Sequence, residues 1–344
     1  MIPATIKPKG AKGFQMALFG ATTLLGKALR ESLERRSFPA QSLRLFDRAE
    51  REGTLAEFQG EAMVVTSPDP DLLDNVDIAF LCGSSEDSRS YLDWPAEKQF
   101  VAIDLSKAST GNPAIPVIHY RLNRSRIHLR ERIIASPSPV SQALSTVLSP
   151  LQKALGIRSA VVTVFPPVSD RGEEGIDELF LQTVNILNFQ EVPKEIFNRQ
   201  LAFNLIPHFS PAGVSEEADP RAAIARETVK ILEADFPMQV GVVQAPVFHC
   251  HSLLLWVQFG KSGTGAEIRR LLDRQADLTV PDPGGEAATP AELTGKEQIL
   301  VQPLDSFPGR TDSCWLWMVS DSLRAGAALN AVRIAEVLIG RGEK

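Results

Sequence analysis

Apolar positions in this chain come in short runs separated by longer mixed stretches. Phe14-Gln-Met-Ala-Leu-Phe19 is one such run; it ends at Gly20, and Leu24 to Arg35 follows with apolar residues at helical spacing. That pattern predicts a strand, a tight turn and a helix in succession. Leu43–Phe46, Val76–Leu81 and Phe100–Leu105 read as further strands. Short apolar runs separated by helix-length segments are the pattern of parallel strands buried on both faces. A doubly wound nucleotide-binding domain is expected over residues 14–135, after a flexible tail at 1–13.

The texture then changes. Val140 to Leu155 reads as a helix, Ala160–Phe165 as a β-branched strand, and a long stretch punctuated by Gly and Pro follows. Gly241–Phe259 is rich in strand formers, Asp282–Ala288 is loop-like, Trp315–Val319 is another strand, and Ala325–Ile339 suits a closely packed helix. These segments predict an α+β domain with a mixed sheet over 136–320 and a closing helical segment over 321–344. The alternation that brings in Trp315 and Trp317 reads as core or interface packing.

Composition narrows the function. A chain of 344 residues exceeds one compact core and suits two domains. Its net charge of −6 argues against nucleic acid or an anionic membrane as partner. Cys82, Cys250 and Cys314 lie far apart with no paired spacing, so neither a disulfide framework nor a zinc ribbon is indicated. No apolar run reaches the roughly 20 residues of a membrane span. The first 13 residues have no apolar centre, so they do not read as a signal peptide. A cytoplasmic protein is the expectation.

Candidate chemistry begins at Gly20-Ala21-Thr22-Thr23-Leu24-Leu25-Gly26, a turn between a strand and a helix. Glycines there let backbone approach a pyrophosphate, and the free N–H groups of the helix start favour its charge. Asp47, at the end of the second strand, sits where a carboxylate bonds an adenosine ribose hydroxyl, or where a surface turn would place one. Gly83 and Ser84 follow the third strand. NAD or NADP is the candidate cofactor, and no metal is expected. The His249-x-His251 spacing offers two imidazoles on one strand face, read more simply as incidental.

Several stretches resemble the aspartate-semialdehyde dehydrogenase family. Leu201-Ala-Phe-Asn-Leu-Ile-Pro-His208 is similar to its Ile-Ala-Phe-Asn-Val-Ile-Pro-His, and Val168-Ser-Asp-Arg-Gly172 to its Val-Ser-Gly-Ala-Gly. Arg226-Glu-Thr-Val-Lys-Ile-Leu232 is similar to Glu-Thr-x-Lys-Ile-Leu, and Ser320–Asn330 to Asp-Asn-Leu-Arg-Lys-Gly-Ala-Ala-x-Asn. The glycine turn resembles Gly-Ala-Thr-Gly-x-x-Gly with Thr23 at the middle glycine, a side chain expected to weaken a dinucleotide site. Gly83-Ser84 resembles the loop beside the nicotinamide. The resemblance spans the whole chain. It implies a Rossmann-type NAD(P)-binding domain, a substrate and dimerisation domain, a homodimer formed through the latter, and a last helix returning to the first domain.

The resemblance also assigns roles. His251 matches the general acid/base, Glu227 and Lys230 the pair that contacts substrate or phosphate, and Gln182 a further motif position. Three groups differ. The turn Ala-Asn-Pro-Asn-Cys-Ser-Thr, which carries the family's thiol nucleophile, is matched by Ala135-Ser-Pro-Ser-Pro-Val-Ser141, with Pro139 or Ser138 at the cysteine. Gln244 stands at the Arg that clamps the substrate carboxylate, and Thr110 at the Arg that anchors phosphate. A neutral side chain does not replace a bidentate guanidinium. The reaction is therefore expected to be absent. The alternative is an oxidoreductase or acyl-transfer enzyme on another substrate, with Ser138 activated by His251. Cys250 adjoins His251 and reads as a packed small side chain.

Overall fold

The computed structural model describes residues 5–9, 13–130, 132–208, 219–282, 284–286, 288–304 and 311–341. Parts of the 1–13 tail and of the 282–288 loop lie outside these. The chain forms two compact units, Met1–Ser138 with Ala327–Lys344, and Pro139–Gly326.

The first unit is built on five parallel strands. They are β1 (Phe14–Phe19), β2 (Ala40–Phe46), β5 (Ile78–Leu81), β6 (Val101–Asp104) and β7 (Ile133–Ala135), in the order β2-β1-β5-β6-β7. A hairpin of β3 (Leu55–Phe58) and β4 (Glu61–Val64) lies between β2 and β5 in the chain. All residues of β5 and β6 are buried, as expected for a parallel sheet covered on both faces. Helix α1 (Leu24–Arg35) follows β1, and the short α2 (Ser85–Arg89) and α3 (Trp94–Glu97) follow β5. Strand order reverses at β1, so the turns after β1 and β5 flank the crevice where open α/β sheets take ligands. The expected flexible tail is tied down where it is described: Ile6 N–H donates to the Leu338 carbonyl at 2.7 Å, and Lys9 Nζ to the Val76 carbonyl at 2.7 Å.

The second unit opens with α4 (Pro139–Leu155) and carries a mixed sheet of seven strands. These are β8 (Ile157–Phe165), β9 (Ile206–Pro207), β10 (Met238–Gln244), β11 (His251–Phe259), β12 (Leu278–Thr279), β13 (Ile299–Leu304) and β14 (Ser313–Ser320), in the order β12-β13-β14-β11-β8-β10-β9. Alternation along β11 sends Leu253, Leu255 and Val257 into the core and leaves Leu254, Trp256 and Gln258 half-buried on the other face. The core face meets apolar residues of α4, α6 (Pro220–Leu232) and α7 (Gly265–Asp273). Trp317 lies on the opposite face, where its indole N–H donates to the Ala288 carbonyl at 2.8 Å. Helices α5 (Gly172–Leu187) and α8 (Pro290–Leu293) complete this unit.

The closing helix differs from the predicted one at its start. Ser322–Ala328 is π-helical and only Leu329–Leu338, α9, is regular α-helix. The Asp321 carboxylate caps the segment by accepting from the N–H groups of Leu323 and Arg324, each at 3.1 Å. The division between the two units falls at Ala327, inside this helical run.

Candidate active site

In the first unit, the glycine turn is held mainly by its own chain. The Thr23 hydroxyl donates to the Gly20 carbonyl at 2.7 Å and accepts from Gly26 N–H at 3.0 Å, capping α1. The hydroxyl is therefore folded into the turn, whereas the sequence suggested that it points into the phosphate path. A Cβ on Gly20, whose φ is +75°, would lie 2.4 Å from the Gly83 nitrogen, and one on Gly26 would lie 2.2 Å from the Gly20 carbonyl oxygen. Both glycines are needed for backbone to pass backbone, with or without a ligand. The N–H groups of Leu24 and Leu25, at the first two positions of α1, have no acceptor within the helix and suit a phosphate. The turn is thus a strand–turn–helix junction whose first helical N–H groups have no acceptor within the helix.

Asp47, read from the sequence as a ribose ligand or as a surface-turn residue, contacts the glycine turn. It is buried, and one of its oxygens accepts from both the N–H and the hydroxyl of Thr22, at 2.7 and 2.8 Å. The other accepts from Arg48 N–H at 2.9 Å. The carboxylate braces the turn. Ser84 caps α2, accepting from Asp87 N–H at 3.0 Å. Thr110 is exposed on a turn closed by its N–H to the Lys107 carbonyl, after Asp104 has gathered Ser106 and Ser109 around its buried carboxylate. Ser136 and Ser138 are buried, and the Ser136 hydroxyl accepts from Asn330.

In the second unit, Pro139 is the first residue of α4, a position that suits its fixed φ and missing N–H. A Cβ on Gly326 would lie 2.8 Å from the Pro139 Cβ, so the π-helical segment passes close to this proline. None of the three thiols offers a substitute nucleophile. Cys82, Cys250 and Cys314 are all buried. Burial pushes the Cys82 thiol well up, Cys250 to about 11 and Cys314 to about 12. Cys250 packs with Val319 and Leu293, its sulfur 3.6 Å from the Thr294 hydroxyl.

His251 opens β11 and is buried. Its Nε2 lies 2.9 Å from Oδ2 of Asp170, a residue on the short turn Val168–Arg171 after β8. Its Nδ1 is buried and has no hydrogen-bond partner among the described residues. His249 is not on the same strand: β11 starts at His251, and Cys250 between them has a left-handed φ of +69°. The two imidazoles therefore do not form the same-face pair that the spacing suggested. Gln244, at the end of β10, donates Nε2 to the Pro166 carbonyl at 2.9 Å and to the Ala245 carbonyl at 3.2 Å. The 166–171 segment thus meets both Gln244 and His251. Glu227 and Lys230 stand one turn apart on α6.

Gln182 is structural in its contacts. It is fully buried, its Nε2 donates to the carbonyls of Pro193 and Arg199, and its Oε1 accepts from the N–H groups of Leu201 and Ala202. With Glu178, which accepts from Ile196 and Phe197 N–H, it ties the loop after α5 back onto the helix.

A family model described as the semialdehyde dehydrogenase dimerisation domain matches residues 148–325, and one described as the semialdehyde dehydrogenase NAD binding domain matches 15–130. The chain is 32% identical over 329 residues to a USG-1 protein homolog from Pseudomonas aeruginosa, covering 94% of this chain and 97% of that protein. It is 29% identical to an aspartate-semialdehyde dehydrogenase from Rickettsia bellii, covering 95% and 98%. The chain belongs to the aspartate-semialdehyde dehydrogenase family. The solved aspartate semialdehyde dehydrogenase II from Vibrio cholerae superposes with a TM-score of 0.87 at 28% identity, covering 95% of this chain and 99% of that one. A probable aspartate-semialdehyde dehydrogenase from Pseudomonas aeruginosa gives 0.87 at 30% identity, covering 95% and 98%. The expected Rossmann-type domain and mixed-sheet dimerisation domain are both present.

Asp170 is the site residue that role-by-role comparison with the aspartate-semialdehyde dehydrogenase pattern missed. It stands where the Val-Ser-Gly-Ala-Gly motif has its first glycine. A charged side chain in place of a glycine in a motif of the resemblance was the available signal. Its target, 81 residues along the chain, was not readable before folding.

Proposed function

We propose that this member of the aspartate-semialdehyde dehydrogenase family has lost the dehydrogenase reaction and is retained as a dimeric, dinucleotide-binding protein. One observation carries the reading. The turn that should present a thiolate instead begins a helix with Pro139, and each of the three thiols is buried, which pushes its pKa up. A semialdehyde is oxidised through attack of a thiolate on its carbonyl, and Ser138 or Pro139 does not supply that nucleophile at ordinary pH. Gln244, tied to the Pro166 carbonyl, and exposed Thr110 remove the two guanidinium anchors for anionic substrate and phosphate. Two of its relatives, at 32% and 30% identity, carry the name USG-1 protein homolog rather than that of the reaction.

The Leu24 and Leu25 N–H groups are the ones that would take the pyrophosphate of NAD or NADP, with Thr23 and Asp47 fixing the turn behind them. A bound dinucleotide would supply hydride transfer; this chain's contribution is restricted to holding it. The dimer is assigned to the second unit. Phe180 and Leu187 are spaced seven apart on α5, and they are exposed together with Phe189, Phe203 and Leu205. The facing surface is that of a second copy.

The test is direct. Purified protein given aspartate semialdehyde, phosphate and NAD or NADP should form no reduced nucleotide. Turnover above the buffer rate would overturn the proposal.

A further inference from the structure

His251 has one side-chain nitrogen on a carboxylate and the other enclosed. Nε2 lies 2.9 Å from the Asp170 carboxylate, a distance at which the nitrogen must carry the hydrogen, because two bare acceptors repel. Nδ1 is left as the inward atom of a side chain that is 6% exposed. Ser320 is paired directly with His251 across the β11–β14 ladder, and its hydroxyl is also buried without a partner among the described residues. Residues directly opposite in an antiparallel pair have Cβ atoms about 4.5–5.5 Å apart on the same face. A rotated hydroxyl or one bridging water spans that gap. A buried polar atom left unsatisfied is costly. The two orphaned atoms therefore complete each other.

We propose that Asp170 and Ser320 are positioning residues that hold His251 in a single orientation and tautomer, with Nε2–H on Asp170 and Nδ1 on the Ser320 hydroxyl. The three residues form a chain with one open end. Ser320 and His251 are enclosed, whereas Asp170 is 38% exposed. The basic lone pair of the neutral imidazole is on Nδ1, enclosed with Ser320, while Nε2 already carries the hydrogen that faces Asp170. The solvent-accessible member of the three is the Asp170 carboxylate, at a position where the family's motif has glycine. The inference does not depend on the proposed loss of turnover, because its readout is the imidazole itself.

The experiment is nitrogen NMR on full-length protein labelled at its histidines, with His251 assigned through His251→Gln. At neutral pH, the wild type should show one tautomer, protonated at Nε2, with a hydrogen-bonded Nδ1. Asp170→Gly should convert it to a mixture of tautomers, while Asp170→Asn, whose amide oxygen still accepts, should preserve it. Ser320→Ala should shift the Nδ1 resonance and leave Nε2–H in place, and Ser320→Thr should restore the wild-type position. A proton on Nδ1 in the wild type, or an Nδ1 resonance indifferent to Ser320→Ala, overturns the proposal. If Asp170→Gly fails to fold, the wild-type tautomer and the Ser320 pair still decide it.

Discussion

Thr22 donates its backbone N–H and its hydroxyl to the same oxygen of Asp47, at 2.7 and 2.8 Å. A carboxylate at the end of the second strand is thereby spent on holding the glycine turn, inside the protein rather than at its rim.

Asp47→Ala should therefore cost stability without any nucleotide present. It leaves three part-buried hydrogen bonds, two from Thr22 and one from Arg48, without their acceptor, a loss of about 1–3 kcal/mol. Urea unfolding measures this. Thermal shifts with NAD and NADP should weaken together in the variant; a selective loss of NAD would return Asp47 to the role of ribose ligand.

Thr23→Ala tests the cap. Loss of a threonine N-cap costs about 1 kcal/mol, and removing the side chain should not strengthen dinucleotide binding, since the hydroxyl already faces the turn. If the substitution instead makes NAD or NADP stabilise the protein markedly more, Thr23 obstructs the phosphate path as the sequence suggested.

Gln182→Leu should be among the most damaging substitutions in the second unit. It deprives the Leu201 and Ala202 N–H groups and two carbonyls of partners, about 2–4 kcal/mol in unfolding free energy. Gln182→Glu should be no milder, because its carboxylate would face the Pro193 and Arg199 carbonyls and the Glu178 carboxylate where Nε2 now donates. A catalytic role for Gln182 would reverse that picture, with little change in stability in either variant.

His119 sets a pH dependence. Burial, aided by the neighbouring Arg121 charge, pushes its pKa down to about 3. Between that value and the unfolded value near 6.5 the unfolded chain binds the extra proton, so stability falls as pH falls through this window. The slope from this residue is at most about 1.4 kcal/mol per pH unit. Urea midpoints at pH 7 and 4.5 should differ less in His119→Gln than in the wild type. An unchanged difference would exclude His119 as the source.

The order of elements was legible in the chain because each strand of the first unit is a continuous apolar run that only a two-sided parallel sheet can bury. Motif matches carried the family in the same way, since His251, Glu227 and Lys230 keep both residue type and spacing. The absence of a cysteine at Ser136–Ser141 was equally plain, because the identity of a side chain needs no fold to be read. What those side chains do was decided by tertiary structure. Thr23 and Asp47 resemble ligand contacts in sequence and brace the turn in space; Thr23 meets Gly20 and Gly26 locally, whereas Asp47 meets Thr22 only because β1 and β2 pair. Asp170 lies 81 residues before His251, and Ser320 lies 69 beyond it. Only the folding of β8, β11 and β14 into one sheet brings the Asp170 carboxylate to Nε2 of His251 and sets Ser320 opposite it on the neighbouring strand.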